Sequence, residues 1–175
     1  VNLLGLSYGG WLVSQYALQF PERVHKAVLL DPAATVLPVS FSLIFRALLS
    51  VIPLPGFRRQ FYYWLLRDTV QSGKIGQTYV DKAVADWAVA ERCFAPLPMV
   101  AATVLNDKSL ADFHVPCLVL IGENEKVYSA LKAVQRLNRV APQIKTEIIH
   151  NAGHDAWVVK ANIVTKKVLD FLDES

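Results

Sequence analysis

The chain opens with Val1-Asn2-Leu3-Leu4-Gly5-Leu6-Ser7-Tyr8-Gly9-Gly10, a mostly apolar run that ends in the motif G-x-S-x-G. The run predicts a strand, and residues 11–20 predict a helix, so a sharp turn is expected between them. Such a turn strains the backbone of Ser7 and exposes its hydroxyl at the sheet edge. Side chains at positions 5 and 9 are expected to collide there, which would require glycine at both. The motif favours a nucleophilic serine, and a solvated turn serine is the alternative.

A second motif, Asn151-Ala152-Gly153-His154-Asp155, follows the strand-like segment 146–150 and precedes an amphipathic C-terminal helix. A loop at the end of a strand is where a catalytic base is expected, and Gly153 allows a tight turn there. The alternative for His154 is a surface-loop histidine. The other histidines are interpreted as structural or solvated: His25, His114 and His150.

A third segment, 115–125, has the pattern of a buried strand that ends in Gly122 and two carboxylates, Glu123 and Glu125. A serine, an acid and a histidine therefore each follow a predicted strand, in the order Ser7, Glu125, His154. Proteases of the chymotrypsin and subtilisin types place their triad residues in other orders.

With these motifs in this order, the chain resembles the α/β-hydrolase superfamily, and most of all its bacterial carboxylesterase-type members with a helical cap. The segment Phe20-Pro21-Glu22-Arg23-Val24, Pro116 before the third strand, and Ala152-Gly153-His154 are typical of those members. The resemblance implies an α/β fold, a mostly parallel sheet with an inserted helical cap. Serine at position 7 argues against the haloalkane dehalogenases and epoxide hydrolases of this fold, which use aspartate.

The resemblance implies a role for each motif. Ser7 would attack a carbonyl carbon, and His154 would take its proton and later return it to the leaving group. The backbone N–H of Tyr8 is expected to be one oxyanion-hole donor, and the other is expected from a loop that this chain does not contain.

The acid is expected to be Glu125, because the family's acid stands three residues after a glycine, here Gly122. Glu123 is an alternative acid. Asp31 is another, since some hydrolases place the acid after the preceding strand.

Alternating strand and helix patterns predict a core at residues 1–35 and again at 114–175. Between them, residues 36–113 show helical patterns and no clear strand, which predicts a helical cap over the site. Most of the aromatic residues of this cap are expected to pack its own core, and the remainder to line an apolar pocket.

Within the cap, the spacing of apolar residues predicts helices at 38–51, 57–68 and 79–93. Residues 71–77 are the most loop-like stretch and are expected to be mobile.

The resemblance starts at the family's nucleophile strand, and Val1 is not a start methionine. We therefore expect the chain to be the C-terminal portion of a longer protein. Alone, it is expected to be aggregation-prone and almost inactive, because its first strand would expose an unpaired edge.

Composition narrows the class of protein. The 53% hydrophobic content and mean hydropathy of +0.30 fit strands that are covered on both faces. A net charge of +3, without a basic run, argues against a nucleic-acid partner. The longest apolar stretch, 36–57, contains Arg46 and three prolines, so no membrane span is predicted. A cytoplasmic location is favoured, although any targeting segment would lie upstream.

No cofactor or metal is predicted. Cys93 and Cys117 lie far apart and outside any C-x-x-C pattern, and no H-E-x-x-H motif occurs. A disulfide between them is not expected, and Cys117 is expected to be buried in a strand.

Together these features predict a serine hydrolase of small, apolar carboxylic esters, acting through an acyl-enzyme. Hydrolysis of C–C or amide bonds by the same triad is an alternative. A catalytically silent, hydrolase-like binding protein is another. The oligomeric state is left open.

Overall fold

The computed structural model describes residues 1–52, 56–95 and 100–174. It contains a four-stranded, all-parallel sheet in which the strands lie in chain order. The predicted α/β fold and parallel sheet are confirmed. The strands are β1 (Asn2–Leu6), β2 (Lys26–Leu30), β3 (Cys117–Gly122) and β4 (Lys145–Ile149).

The central strands explain the high apolar content of the sequence. Every residue of β2 and β3 is buried, because each strand has a neighbour on both sides and helices on both faces. Since all strands run the same way, their carboxyl ends meet at one edge of the sheet. That edge carries every candidate site residue.

Helices cover the two faces of the sheet. On one face, α1 (Tyr8–Gln19) and α7 (Ala130–Val140) bury Ala17 and Leu137 against the strand side chains that point toward that face. On the other face, α8 (Ala156–Val159) and α9 (Ala161–Asp173) complete a second apolar cluster. The amphipathic stripe of α9 supplies Val164, Val168 and Phe171 to it, as its period predicts.

Helices fill the long connection between β2 and β3, and its described residues contain no strand. They are α2 (Phe41–Ser50), α3 (Phe57–Leu65), α4 (Arg67–Gln71), α5 (Lys74–Cys93) and α6 (Asp107–Ala111). The helix predicted at 57–68 is divided at Leu66, whose backbone leaves the helical region (φ −102°, ψ 42°).

The loop predicted at residues 71–77 is wrong for most of its length. Helix α4 continues to Gln71, and α5 already begins at Lys74. Gly73 makes the turn with φ 115°, a conformation that favours glycine. Gly76 lies so close to α4 that an added Cβ would be 1.8 Å from the carbonyl oxygen of Thr69. A tight turn at Gly73 and close helix packing at Gly76, rather than a flexible linker, explain these glycines.

Helix α2 has no buried residue among those described, although its sequence is strongly apolar. Phe41, Ile44, Phe45 and Leu48 are all exposed to solvent. They do not pack a core of the helical segment in the described part of the chain. The prolines at 53 and 55 lie outside the described residues.

Arg136 of α7 ties the two ends of the helical connection to the sheet. Its guanidinium donates to the carbonyl oxygens of Val36 and, at 2.7 Å, Leu105, and it forms an ion pair with Asp107 at 2.6 Å. One side chain of the core thus holds both the beginning and the end of this long segment in place.

Two findings bear on the remaining predictions from composition. Cys93 and Cys117 are both free thiols, and Cys117 is buried in β3 as expected. Among the described residues, no helix has the length and apolar character needed to cross a membrane.

Candidate active site

Ser7 occupies a strained turn between β1 and α1. Its backbone has φ 51° and ψ −117°, outside the regions that side-chain-bearing residues normally adopt. The next strand holds this conformation, since the Ser7 N–H donates to the carbonyl of Leu30 at 2.9 Å. The carbonyl of Ser7 accepts from the N–H groups of Trp11 and Ala33. The geometry is that of the sharp strand–turn–helix connection predicted from the motif.

The glycines around Ser7 differ in their steric demands. A Cβ at Gly5 would lie 2.2 Å from the carbonyl oxygen of Gly9, so only glycine fits. The expectation for Gly9 itself is wrong, because a Cβ there would meet no described atom within 4 Å. The second tight position is Gly10, where a Cβ would lie 2.9 Å from that of Pro32. The helix approaches β1 and the loop after β2 at these two points.

We expect Gly5→Ala to lower the free energy of unfolding by about 2–4 kcal/mol or to prevent folding, because backbone atoms must move to accept the methyl group. Gly9→Ala is the matched control and is expected to change it by less than about 1 kcal/mol. Urea unfolding followed by circular dichroism measures both. Equal effects of the two substitutions would contradict the contact described.

The start of α1 is bound to a segment that precedes α6. The Tyr8 hydroxyl donates to the carbonyl of Val100 at 2.7 Å, and the indole N–H of Trp11 donates to that of Thr103 at 3.0 Å. The two rings stack with centroids 5.4 Å apart. The backbone N–H of Tyr8 lies in the first turn of the helix, where N–H groups have no partner within the helix and favour anions.

His154 lies on the loop that follows β4, which is locked to the loop after β3. The N–H of Asn124 donates to the carbonyl of Ala152 at 2.8 Å. Gly122 lies so close to this loop that a Cβ would be 2.2 Å from the carbonyl oxygen of Gly153. The histidine and the residues after β3 therefore have a fixed relation set by backbone contacts.

Glu125 contacts the imidazole. Its Oε2 lies 2.9 Å from Nδ1 of His154, and its Oε1 accepts from the N–H groups of Lys126 and Val127 at 2.6 and 2.7 Å. The side chains of His154 and Glu125 are only 7% and 0% exposed. Burial raises the pKa of Glu125, but the hydrogen bond and charge of His154 outweigh it and bring that pKa below its ordinary value. With its proton on Nδ1, the ring leaves Nε2 free for a serine hydroxyl.

Glu123 points elsewhere. It accepts from the Asn151 N–H at 2.9 Å and lies 3.4 Å from Nδ1 of the exposed His150. The Asn151 hydrogen bond and then His150 lower the pKa of Glu123. The structure thus places this carboxylate at the surface, where it secures the turn before His154.

Asp31 directly follows β2 and lies close to the Glu125 side chain, with oxygens of the two within 4.8 Å of each other. It is 2% exposed, and its Oδ1 accepts the N–H of Gly122 at 2.7 Å. Burial, followed by the charge of Glu125 and a hydrogen bond to it, raises the pKa of Asp31 well above its ordinary value. Its backbone has φ 42°, a left-handed conformation that aspartate tolerates better than most residues.

Asp31, Glu125 and His154 form a tight group, in which one carboxylate oxygen of each acid and one ring nitrogen lie within 4.8 Å of one another. This spacing would also suit a cation. However, the two carboxyl groups already face four N–H donors, from Gly122, Lys126, Val127 and His154. The donor set fits a hydrogen-bonded acid–histidine pair better than a metal centre.

Ser7 Oγ has no hydrogen bond to His154 in the part of the chain that is described. Both residues nevertheless follow parallel strands of one sheet, β1 and β4, and so lie at the same carboxyl edge. Catalytic hydrogen bonds are often long without substrate and shorten when it binds.

Two residues near this site were missed by the sequence reasoning. Asp155 is fully buried and accepts the N–H of Thr69 in α4 at 2.6 Å, so the residue after His154 connects its loop to the helical segment. Tyr128 is buried near Asp31 and Glu125, and burial followed by their charges raises its pKa well above the ordinary value. Asp155 directly follows the histidine of the second motif. An acidic residue next to apolar neighbours in the sequence was the signal that could have identified it.

The chain is similar to known hydrolases in sequence and in fold. The chain is 30% identical over 174 residues to "Uncharacterized carboxylesterase nap" of Bacillus subtilis, covering 98% of this chain and 56% of that protein. It is 26% identical to a 2-hydroxy-6-oxo-2,4-heptadienoate hydrolase of Pseudomonas putida, covering 98% of this chain and 63% of that one. The crystal structure of carboxylesterase CesB (YbfK) from Bacillus subtilis superposes with a TM-score of 0.82 at 28% identity, covering 99% of this chain and 60% of that one.

The chain thus spans less than two thirds of the length of these relatives. The family model described as "Alpha/beta hydrolase family" matches residues 1–161. By its parallel sheet, its strained serine turn and this match, the chain belongs to the α/β-hydrolase family.

Proposed function

We propose that the protein is a serine hydrolase of carboxylic esters in which Ser7, His154 and Glu125 form the catalytic triad. The observation that carries this proposal is the buried pair of Glu125 and His154, 2.9 Å apart, at the sheet edge where Ser7 sits in its strained turn. A buried carboxylate on Nδ1 fixes the tautomer in which Nε2 accepts a proton.

The mechanism follows from these positions. Ser7 Oγ attacks the ester carbonyl carbon while His154 Nε2 takes the hydroxyl proton, and His154 then gives that proton to the departing alcohol. Water, deprotonated by the same nitrogen, attacks the acyl-enzyme, and the proton returns to Ser7 as the carboxylic acid leaves. Glu125 stays ionised and stabilises the imidazolium in both steps.

The oxyanion of each tetrahedral intermediate needs N–H donors. The Tyr8 N–H, at the start of α1, is our candidate for one of them, because it is adjacent to the nucleophile and unpaired within the helix.

The substrate class is inferred from the helical segment. We propose that residues 36–113 act as a cap and that the substrate is a small, apolar ester. Ser40, at the start of α2, donates from its N–H to Val127 and from its hydroxyl to Lys126, directly after Glu125. Helix α2 therefore starts beside the loop that carries Glu125. Its exposed apolar residues, including Phe41 and Phe45, follow from that point along the helix. Two Bacillus subtilis relatives at 30% identity are named carboxylesterases, which also supports an ester.

Hydrolysis of a C–C bond is the second candidate. The Pseudomonas putida relative is named as a hydrolase of a 2-hydroxy-6-oxo-dienoate, and the same triad would serve that reaction. Because that relative is only 26% identical to this chain, C–C hydrolysis ranks behind ester hydrolysis. Amide hydrolysis and silent binding have no comparable support.

A fluorophosphonate probe tests the proposal, because it modifies an activated serine and not a solvated one. We expect rapid labelling of the full-length gene product, with the adduct mapped to Ser7 by peptide mass spectrometry. Ser14→Ala is the matched control and should still be labelled, since Ser14 is buried and bonded to the Trp11 carbonyl.

Hydrolysis of p-nitrophenyl butyrate should accompany labelling. Absence of both would favour a binding protein. Faster turnover of a 2-hydroxy-6-oxo-dienoate than of any ester would favour C–C hydrolysis.

A further inference from the structure

Two carboxyl groups lie together behind His154, out of contact with water. Asp31 is 2% exposed, the Glu125 side chain is 0% exposed, and oxygens of both lie within 4.8 Å of each other and of the imidazole. Two ionised carboxylates at this separation repel strongly where little water screens them. A single proton shared by the two acids would relieve this repulsion.

The hydrogen bonds indicate which of the two acids would hold such a proton. Glu125 faces three N–H donors, from Lys126, Val127 and His154, and these stabilise an ionised carboxylate. Within residues 1–52, 56–95 and 100–174, Asp31 faces one N–H donor, from Gly122. The pKa shifts agree with this difference, since the pKa of Glu125 is lowered and that of Asp31 is raised.

We propose that Asp31 is a positioning residue, a neutral carboxylic acid that donates a hydrogen bond to the Glu125 carboxylate and thereby holds it against His154. The kinetic part of this inference rests on the proposed esterase function, whereas the protonation of Asp31 does not.

Anchoring of Asp31 explains why it suits this role. Its N–H donates to the Leu120 carbonyl at 2.9 Å, and its Oδ1 accepts from Gly122 at 2.7 Å, so both its backbone and its side chain are fixed to β3. An Asp31 oxygen also lies within 4.8 Å of a Glu125 oxygen, so the fixed carboxyl group is close to the acid that it would position. In this way, the central strands, and not only its own loop, would control the direction of the Glu125 side chain.

Substitutions of Asp31 test the hydrogen bond. In Asp31→Asn the amide oxygen still accepts from Gly122 and the amide nitrogen still donates to Glu125, so kcat should stay within about threefold of wild type. In Asp31→Ala the donor is lost, and kcat should fall by about 10- to 100-fold with KM nearly unchanged.

Asp31→Gly separates this loss from backbone strain, because glycine adopts the left-handed conformation freely. It should lose as much activity as Asp31→Ala. An asparagine variant as impaired as the alanine variant would overturn the proposal.

The pH profile provides a second readout. Charged or titratable groups face Asp31 from two loops, Glu125 and Tyr128 after β3 and His154 and Asp155 after β4. If Asp31 is neutral, Asp31→Asn removes no charge, and the acidic limb of kcat/KM should move by less than about 0.3 pH unit. If Asp31 were ionised, losing its charge would destabilise the imidazolium and shift that limb to lower pH by about one unit.

Infrared spectroscopy tests the proton without any assay of activity. The difference spectrum between wild type and Asp31→Asn at pH 7 should contain the carbonyl-stretch band of a protonated carboxylic acid. Its absence would overturn the proposal even if all esterase predictions hold. If Ser7→Ala retained full activity, the esterase mechanism would fail, and this band would still decide the state of Asp31.

Discussion

Replacing Ser7 or His154 by alanine is expected to lower ester turnover by the full-length gene product about 10⁴–10⁶-fold, because the members of a triad act as a unit. Ser7→Ala removes the atom that forms the acyl-enzyme, and His154→Ala removes the group that takes its proton. Initial rates with p-nitrophenyl butyrate measure both. The double variant should lose no more than about tenfold beyond either single one.

Ser14→Ala is the control for the serine substitution and should keep turnover within about threefold of wild type, since its hydroxyl donates to the Trp11 carbonyl within α1. Circular dichroism and the thermal midpoint show whether each variant is folded, which matters because Ser7 holds a strained backbone. A folded Ser7→Ala or His154→Ala variant with near-normal turnover would rule out the proposed mechanism.

Glu125→Gln is expected to lower kcat about 10³–10⁴-fold, the effect typical of exchanging a triad carboxylate for an amide. Three N–H donors converge on Glu125, and a glutamine amide has only one oxygen to receive them. Its NH₂ group would face at least one of these donors, so the imidazole would lose its orientation or its tautomer.

Glu123→Gln is the matched control, because it makes the same chemical change two residues away. Its carboxylate is partly exposed and contacts Asn151 and His150, so turnover should stay within about threefold of wild type. Equal losses in the two variants, or a larger loss for Glu123→Gln, would show that Glu125 is not the acid.

Much of the fold was predictable because its signals are local. The apolar run before Glu125 and the amphipathic period of α9 each report which faces are buried. The parallel sheet followed from the alternation of strand and helix patterns, and it is confirmed. The chain order of the three motifs likewise led to the α/β-hydrolase family, which the family match confirms.

The predictions were wrong where local composition indicates one structure and tertiary packing imposes another. Residues 71–77 are polar and glycine-rich, and so were expected to form a loop. Gly76, however, lets α5 pack against Thr69, and the helix begins at Lys74. At Gly9 the motif suggested a collision that the structure assigns to Gly10 and Pro32 instead. Neither contact is visible in sequence, since both join elements whose distance depends on the whole fold.

The candidate site, like the fold, was predictable from the sequence only in part. The sequence by itself determined that Ser7, an acid and His154 each follow a strand, and parallel strands bring their carboxyl ends to one edge of a sheet. It left three acids, because the direction of a loop side chain depends on contacts with distant segments. The tertiary structure directs Glu123 toward Asn151, buries Asp31 below, and leaves Glu125 in contact with His154. Contacts that form only once β2, β3 and β4 are assembled make that selection: the Asn151 N–H binds Glu123, the Gly122 N–H binds Asp31, and the His154 ring binds Glu125.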